Sequence, residues 1–206
     1  MTWRALLDLV FPPQCAGCNA IGAGFCPACA AAARAIRVRM PSLSITAFGA
    51  YEGALRSAIL ALKDGRRDVA ESLGRILAAF VAPAALLVPI PTTATRRRVR
   101  GFDGVALVAR SAAEIAGASV LDVLEQSSGD AQRGRSRSER LAARGRFRCD
   151  GRVGGRCVTL VDDVCTTGST LRDCADAVRR AGGVVEDAVV VAATKTAHPW
   201  RPPALN

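Results

Sequence analysis

Two stretches of this 206-residue chain carry residue types whose spacing suits chemistry. The first, residues 158–170, reads Val-Thr-Leu-Val-Asp-Asp-Val-Cys-Thr-Thr-Gly-Ser-Thr. An apolar run leads straight into Asp162 and Asp163, and a turn of Thr166, Thr167, Gly168, Ser169 and Thr170 then opens a helix. The first amides of a helix lack partners within it and point at incoming anions. Gly168 lets the backbone come close and the hydroxyls add donors, so the turn suits a monophosphate. The two carboxylates repel phosphate and suit the hydroxyls of a sugar instead. Plainer readings compete: a Thr-rich turn also caps helices, and paired aspartates at a strand end also hold metals.

The second stretch holds Cys15-Ala-Gly-Cys18 and Cys26-Pro-Ala-Cys29, two C-x-x-C pairs seven residues apart. Each pair can present two thiolates from one tight turn, and two turns complete a tetrahedral zinc site. Four ligands leave no open position, which makes the expected metal structural. A redox dithiol is the rival reading, and two adjacent pairs fit closed ligation better. Cys149, Cys157, Cys165 and Cys174 are scattered and read as small buried hydrophobes. Cys165 also lies just before a helix start, where a thiolate is stabilised.

The elements that must position these residues follow from hydrophobic periodicity. Helices are expected over 30–39, 54–63, 69–81, 102–116 and 169–180, the last with Leu171, Cys174, Ala175 and Val178 on one face. Strands are expected over 45–51, 86–90, 120–124, 157–161 and 185–192. Strands alternating with helices predict an α/β domain built on a mainly parallel sheet. The domain boundary is expected near Ser42, separating a 1–42 knuckle with flanking helices from a 43–206 α/β domain. Residues 126–148, rich in Ser, Gly and Arg, read as a long loop with one short helix near Ser138 to Ala143. Loops of that length in compact domains are often lids.

Half the residues are apolar and only 4% are aromatic, so Ala, Val and Leu must fill the core. The formal net charge is +10, which favours anionic partners; an Arg excess of this kind also arises from genome composition. No run approaches the ~20 apolar residues of a membrane span. The start lacks the features of a secretory signal, since Asp8 interrupts its apolar run. A cytoplasmic location is therefore expected, and a reducing compartment favours metal ligation over disulfides.

The 161–170 string resembles the phosphoribosyl-pyrophosphate motif of type I phosphoribosyltransferases. Further matches point to the ComF family, linked to DNA uptake in competent bacteria and also called amidophosphoribosyltransferase-like. They are Pro12-Pro13, the cysteine knuckle, Leu62-Lys63-Asp64-Gly65-Arg66, Val88-Pro89-Ile90-Pro91, Arg100-Gly101-Phe102, Gln132 and Glu139-Arg140. The resemblance implies a type I phosphoribosyltransferase fold binding phosphoribosyl diphosphate or a related ribose 5-phosphate ligand, with Mg²⁺ on the leaving group. Asp162 and Asp163 would take the ribose, and Thr166, Thr167, Gly168, Ser169 and Thr170 the phosphate. Thr92, Thr93 and Arg96 to Arg98 would face the pyrophosphate, with Lys63 and Arg66 as cations able to neutralise it. It departs from the family in two places. Phe102-Asp103-Gly104 stands where Phe-Asn-Gln is usual, and the 125–130 segment lacks two arginines and a threonine. These leave a second reading open: a non-catalytic accessory protein on the same fold, contacting single-stranded DNA or a DNA-processing partner. Few aromatic platforms are present for stacking bases.

Overall fold

The computed structural model describes residues 12–93, 101–126 and 146–194. The apolar residues Leu6, Leu7, Val10 and Phe11 lie outside them, as do Arg96 to Arg98, Gln132, Glu139, Arg140, His198 and most of the 126–148 segment.

A short helix α1 (Pro27–Ala31) leads into strands β1 (Ile36–Met40) and β2 (Leu43–Ala50). Helices α2 (Gly53–Lys63) and α3 (Arg67–Leu77) follow, then strand β3 (Leu86–Pro89), helix α4 (Gly104–Ala116) and strands β4 (Ser119–Val120) and β5 (Leu124–Gln126). After β6 (Phe147–Cys149), strand β7 (Cys157–Cys165), helix α5 (Ser169–Arg180) and strand β8 (Val184–Ala193) complete the described fold. The main sheet has the order β1-β2-β8-β7-β3-β4. Every neighbouring pair in it is parallel except β1 with β2. The architecture is thus mixed α/β on a mainly parallel sheet, as the alternating pattern predicts.

Apolar residues leave the sheet on both faces, as a covered parallel sheet requires. Leu171, Cys174, Ala175 and Val178 of α5 pack with Val158, Leu160, Ala188 and Val190 on one side. On the other, Leu55, Ile59 and Leu62 of α2 join α3 and α4 against Leu87, Val161, Val189 and Val191. Burying a side chain of this size contributes about 1.5–3 kcal/mol.

Four expectations need correction. Residues 30–39 are not one helix: α1 ends at Ala31, and Ile36 to Met40 form a strand. Six consecutive residues from Ala30 invite helix on propensity, but Ile36, Val38 and Met40 alternate with Arg37 and Arg39. That period of two pairs antiparallel with β2, from Ile36 opposite Ala47 to Met40 opposite Leu43, and buries Val38. The strand expected at 120–124 is broken into β4 and β5 around Asp122. The end of the presumed loop, Phe147 to Cys149, is a strand paired with β5, anchored by the buried Phe147. Finally, β7 runs on to Cys165, so Asp162 and Asp163 sit within the strand rather than beyond it.

Candidate functional site

β7 lies inside the sheet, between β8 and β3. Asp162 pairs with Val190 of β8, one residue beyond the last β3 pair, Pro89 with Val161. Alternation turns the side chains of Asp162 and Asp163 to opposite faces at their root, and their surroundings differ accordingly. Asp162 is only 9% exposed, and one of its oxygens accepts the Asp163 amide at 2.8 Å. Burial, reinforced by the charge of Asp163, raises its carboxyl from 3.8 to about 8; the Asp163 amide and Lys63 oppose this, and Asp103 adds to it. Asp162 therefore keeps its proton to a higher pH than an ordinary carboxyl. Asp163 meets Lys63 from the end of α2, with Nζ 3.1 Å from Oδ2.

After β7 the chain turns through Thr166 and Thr167 to Gly168, whose φ of +71° is the left-handed region that favours glycine. Gly168 begins α5 without any side-chain cap. The Ser169 amide donates to Thr167 Oγ1 at 3.4 Å, and the Thr167 and Ser169 hydroxyls lie 3.2 Å apart. The turn is braced from just beyond β8, where the Thr194 hydroxyl donates to the Thr166 carbonyl at 3.4 Å. A Cβ on Gly168 would stand 2.5 Å from Met40 Sδ. Glycine is therefore needed here for its φ and for the contact with β1. Thr167, Gly168, Ser169 and Thr170 thus present a hydroxyl-rich helix start directly after the two acids.

Across the sheet, β3 ends at Pro89 and the Ile90 amide donates to the Val161 carbonyl at 2.9 Å, just before the acids. Thr92 follows. Its amide donates to Asp103 Oδ2 at 2.8 Å and its hydroxyl lies 3.4 Å from Oδ1. The same Oδ1 accepts the Val105 and Ala106 amides and so caps α4. Asp103 fastens the 90–93 loop to a helix start, a role that sequence reasoning missed. The signal was there: an Asp two residues before an apolar periodic run is an N-cap signature. Gly104 is explained as well, since a Cβ there would lie 3.0 Å from Leu62 Cδ1. Thr93 stands beside Thr92 on this loop.

The structure brings Lys63, Asp162, Asp163 and the 166–170 turn together. Arg66 goes elsewhere: its guanidinium pairs with Asp68 and donates to the Gln14 carbonyl in front of the knuckle. Cys165 is buried, and burial raises its thiol, with the charge of Asp162 adding to this. The thiolate reading for it does not hold. Cys157 is exposed rather than buried.

In the knuckle, the sulfurs of Cys15, Cys18, Cys26 and Cys29 all lie within 4.8 Å of one another. Cys15 and Cys29 are 3.8 Å apart and Cys18 and Cys26 are 3.6 Å apart. Zn–S bonds of about 2.3 Å in a tetrahedron require sulfurs roughly 3.8 Å apart, so the set fits zinc. Burial opposes ionisation of Cys15, but the amides of Cys26, Cys18 and Gly17 outweigh it, and the thiol falls to about 6. The purified protein is expected to hold about one zinc per chain, and Cys18→Ser to lose it. Elemental analysis of protein made with zinc available checks this, and a metal-free result would refute it.

No protein-family model and no curated protein matches the chain. Solved structures similar to it include an allosteric regulatory enzyme of purine biosynthesis, at 24% identity and a TM-score of 0.45 over 59% of this chain. Glutamine phosphoribosylpyrophosphate amidotransferase from B. subtilis is similar at 23% identity and a TM-score of 0.44, again over 59% of this chain. This chain spans about a quarter (26%) of the length of each of those two. A phosphoribosyltransferase from Corynebacterium diphtheriae is similar at 22% identity and a TM-score of 0.36, with 70% of this chain and 71% of that one covered.

Proposed function

We propose that this protein binds phosphoribosyl diphosphate or a related ribose 5-phosphate ligand at the end of β7 and acts as a phosphoribosyltransferase. The observation that carries the reading is the continuity of the site. Two acids inside a strand run into a left-handed, hydroxyl-rich turn and a twelve-residue helix. The turn and the first amides of α5 would hold the 5-phosphate, aided by the positive end of the helix dipole. Asp163, paired with Lys63, would accept a ribose hydroxyl, and Asp162 would hold the adjacent one. Thr92 and Thr93, on the loop that Asp103 fastens, would face the diphosphate.

In the transfer, the bond from the anomeric carbon to the diphosphate breaks as the acceptor's bond forms. Positioned charge would stabilise the cationic ribosyl group between them. Mg²⁺ would supply charge neutralisation to the diphosphate leaving group. Among the described residues the four cysteines are the only cluster of three or more metal-ligating side chains.

A role in DNA uptake rests on the resemblance of the sequence alone. The formal net charge of +10 favours one further reading, contact with single-stranded DNA or a DNA-processing partner. Thermal shift separates the two. With Mg²⁺, phosphoribosyl diphosphate at about a hundred times its Kd is expected to add about 2.7 kcal/mol of stability. Stabilisation by single-stranded DNA alone, falling steeply with salt, would replace the transferase reading with the accessory one.

A further inference from the structure

The turn between α2 and α3 touches three parts of the molecule. On its knuckle side, Arg66 uses Nε and Nη2 on the Asp68 carboxylate, with Nε 3.2 Å from Oδ1, and Nη2 also donates to the carbonyl of Gln14. Gln14 immediately precedes the metal ligand Cys15. The knuckle is seated on the same helix. A Cβ on Gly24 would lie 2.5 Å from the Asp68 carbonyl carbon and oxygen, so its backbone abuts the first turn of α3. Cys15 and Phe25 are buried in one cluster with Leu55, Ile59 and Val69.

On its ribose side, the turn is wound onto the end of α2. The amides of Asp64, Gly65 and Arg66 donate to the carbonyls of Leu60, Leu62 and Ala61, with Gly65 at φ +98°. Lys63, three residues before Arg66, reaches Asp163 at 3.1 Å. On its third side, the guanidinium of Arg67 stands over the ring of Phe102, 4.9 Å from its centroid. Phe102 adjoins Asp103, which holds Thr92. One guanidinium at the head of α3 thus joins the chain entering the knuckle to a turn that reaches both the acids and the 90–93 loop.

We propose that Arg66 is a positioning residue that ties the knuckle to the ligand site, so that filling the four cysteines with zinc raises affinity for a ribose 5-phosphate ligand. This rests on the ligand reading given above. It differs from a direct role of Arg66 on pyrophosphate, because here the guanidinium is engaged by Asp68 and a main-chain carbonyl. A half-buried, partly solvated ion pair such as this adds little to stability by itself. Its loss is therefore expected to register at the ligand site and in the turn more than in the melting temperature.

The experiment titrates the full chain by calorimetry with phosphoribosyl diphosphate plus Mg²⁺ and, separately, with ribose 5-phosphate. Wild type and Arg66→Ala are compared, each zinc-loaded and after removal of zinc by a chelator. Hydrogen exchange of the Asp64, Gly65 and Arg66 amides is followed in the same four samples. Zinc removal is expected to weaken wild-type binding of both ligands alike, by roughly fivefold or more, the usual floor for coupled sites. Zinc-loaded Arg66→Ala should keep its metal yet already show that loss, with faster exchange in the turn, and removing its zinc should add little. Unchanged affinity and exchange in zinc-free wild type would overturn the proposal. A loss in Arg66→Ala confined to the diphosphate ligand would overturn it too, assigning Arg66 to pyrophosphate directly. Should the chelator unfold the chain, as circular dichroism would show, the two zinc-loaded proteins alone decide. Should zinc-loaded wild type bind neither ligand, the ligand reading and the affinity claim fall together, and the exchange data decide whether the link through Arg66 stands.

Discussion

Asp162→Asn is expected to make the protein more stable at pH 8, while Asp163→Asn is expected to strip it of ligand affinity. The two changes are chemically alike and their sites are neighbours, so the contrast tests the surroundings. The Asp162 carboxyl titrates near 8 in the folded chain against 3.8 as its ordinary value, chiefly through burial. Between those pH values the unfolded chain ionises this group and the folded one keeps it protonated. The unfolded state then binds fewer protons, so stability falls as pH rises across that window and levels off above it. Asn has no such charge to desolvate. With about 1.4 kcal/mol per unit and neighbouring groups that relax, the gain at pH 8 is on the order of 2–4 kcal/mol. That corresponds to about 5 °C or more in Tm, and the gain should vanish near pH 4. Scanning calorimetry at both pH values checks it, and a lower Tm for Asp162→Asn at pH 8 would refute the buried-acid account. Asp163 is the charged acceptor. Removing its charge weakens the hydrogen bond to ribose and leaves Lys63 without its carboxylate. Charged hydrogen bonds are worth about 1.5–3 kcal/mol, so affinity for phosphoribosyl diphosphate should fall roughly tenfold or more. Asp162→Asn should lose less, because that carboxyl keeps its proton to a higher pH.

Gly168→Val should abolish measurable ligand binding and destabilise the fold as well. Two causes add. A φ of +71° costs an L-residue about 1–2 kcal/mol, and a β-branched one most of all. The new Cβ would also stand 2.5 Å from Met40 Sδ and 2.8 Å from its Cε. Either β1 or the turn must move, and the turn carries the expected phosphate donors. A total loss of about 2–5 kcal/mol is expected, as overpacking adds about 1–3. Met40→Ala in the same protein should restore part of the stability and part of the affinity, because it relieves the contact and leaves the φ unchanged. Urea unfolding and calorimetry on both proteins measure this. Wild-type affinity in Gly168→Val would show that the turn does not hold the ligand.

Much of this site was legible because it is local. Strand, acids, turn and helix follow one another within 157–180, and each step has its own residue signature. The helix α2 and its closing Gly65 were readable for the same reason. What escaped the sequence depends on residues far apart in it. Nothing near Gly168 announces that Met40 lies over it, and nothing near Arg66 announces the carbonyl of Gln14. Asp103 was read as a departure from a family pattern, when its own neighbourhood already marked a helix cap. The error over 30–39 was of another kind: an alanine run outweighed a short period-two pattern whose partner strand begins three residues after it ends.

The position of β8 in the sheet carries a consequence for the order in which the chain can assemble. It is the last strand of the described fold, yet it lies between β2 and β7. Pairings such as Ser44 with Asp187 and Ala50 with Ala193 span more than 140 residues. During synthesis, β2 with its hairpin partner β1 and β7 with β3 can form only as two half-sheets, each with an open edge, until the ribosome has released β8. Closing so long a loop is slow, and open strand edges in the meantime invite pairing between chains. The central seam that makes β7 a firm base for the two acids is thus also the last one to be sealed.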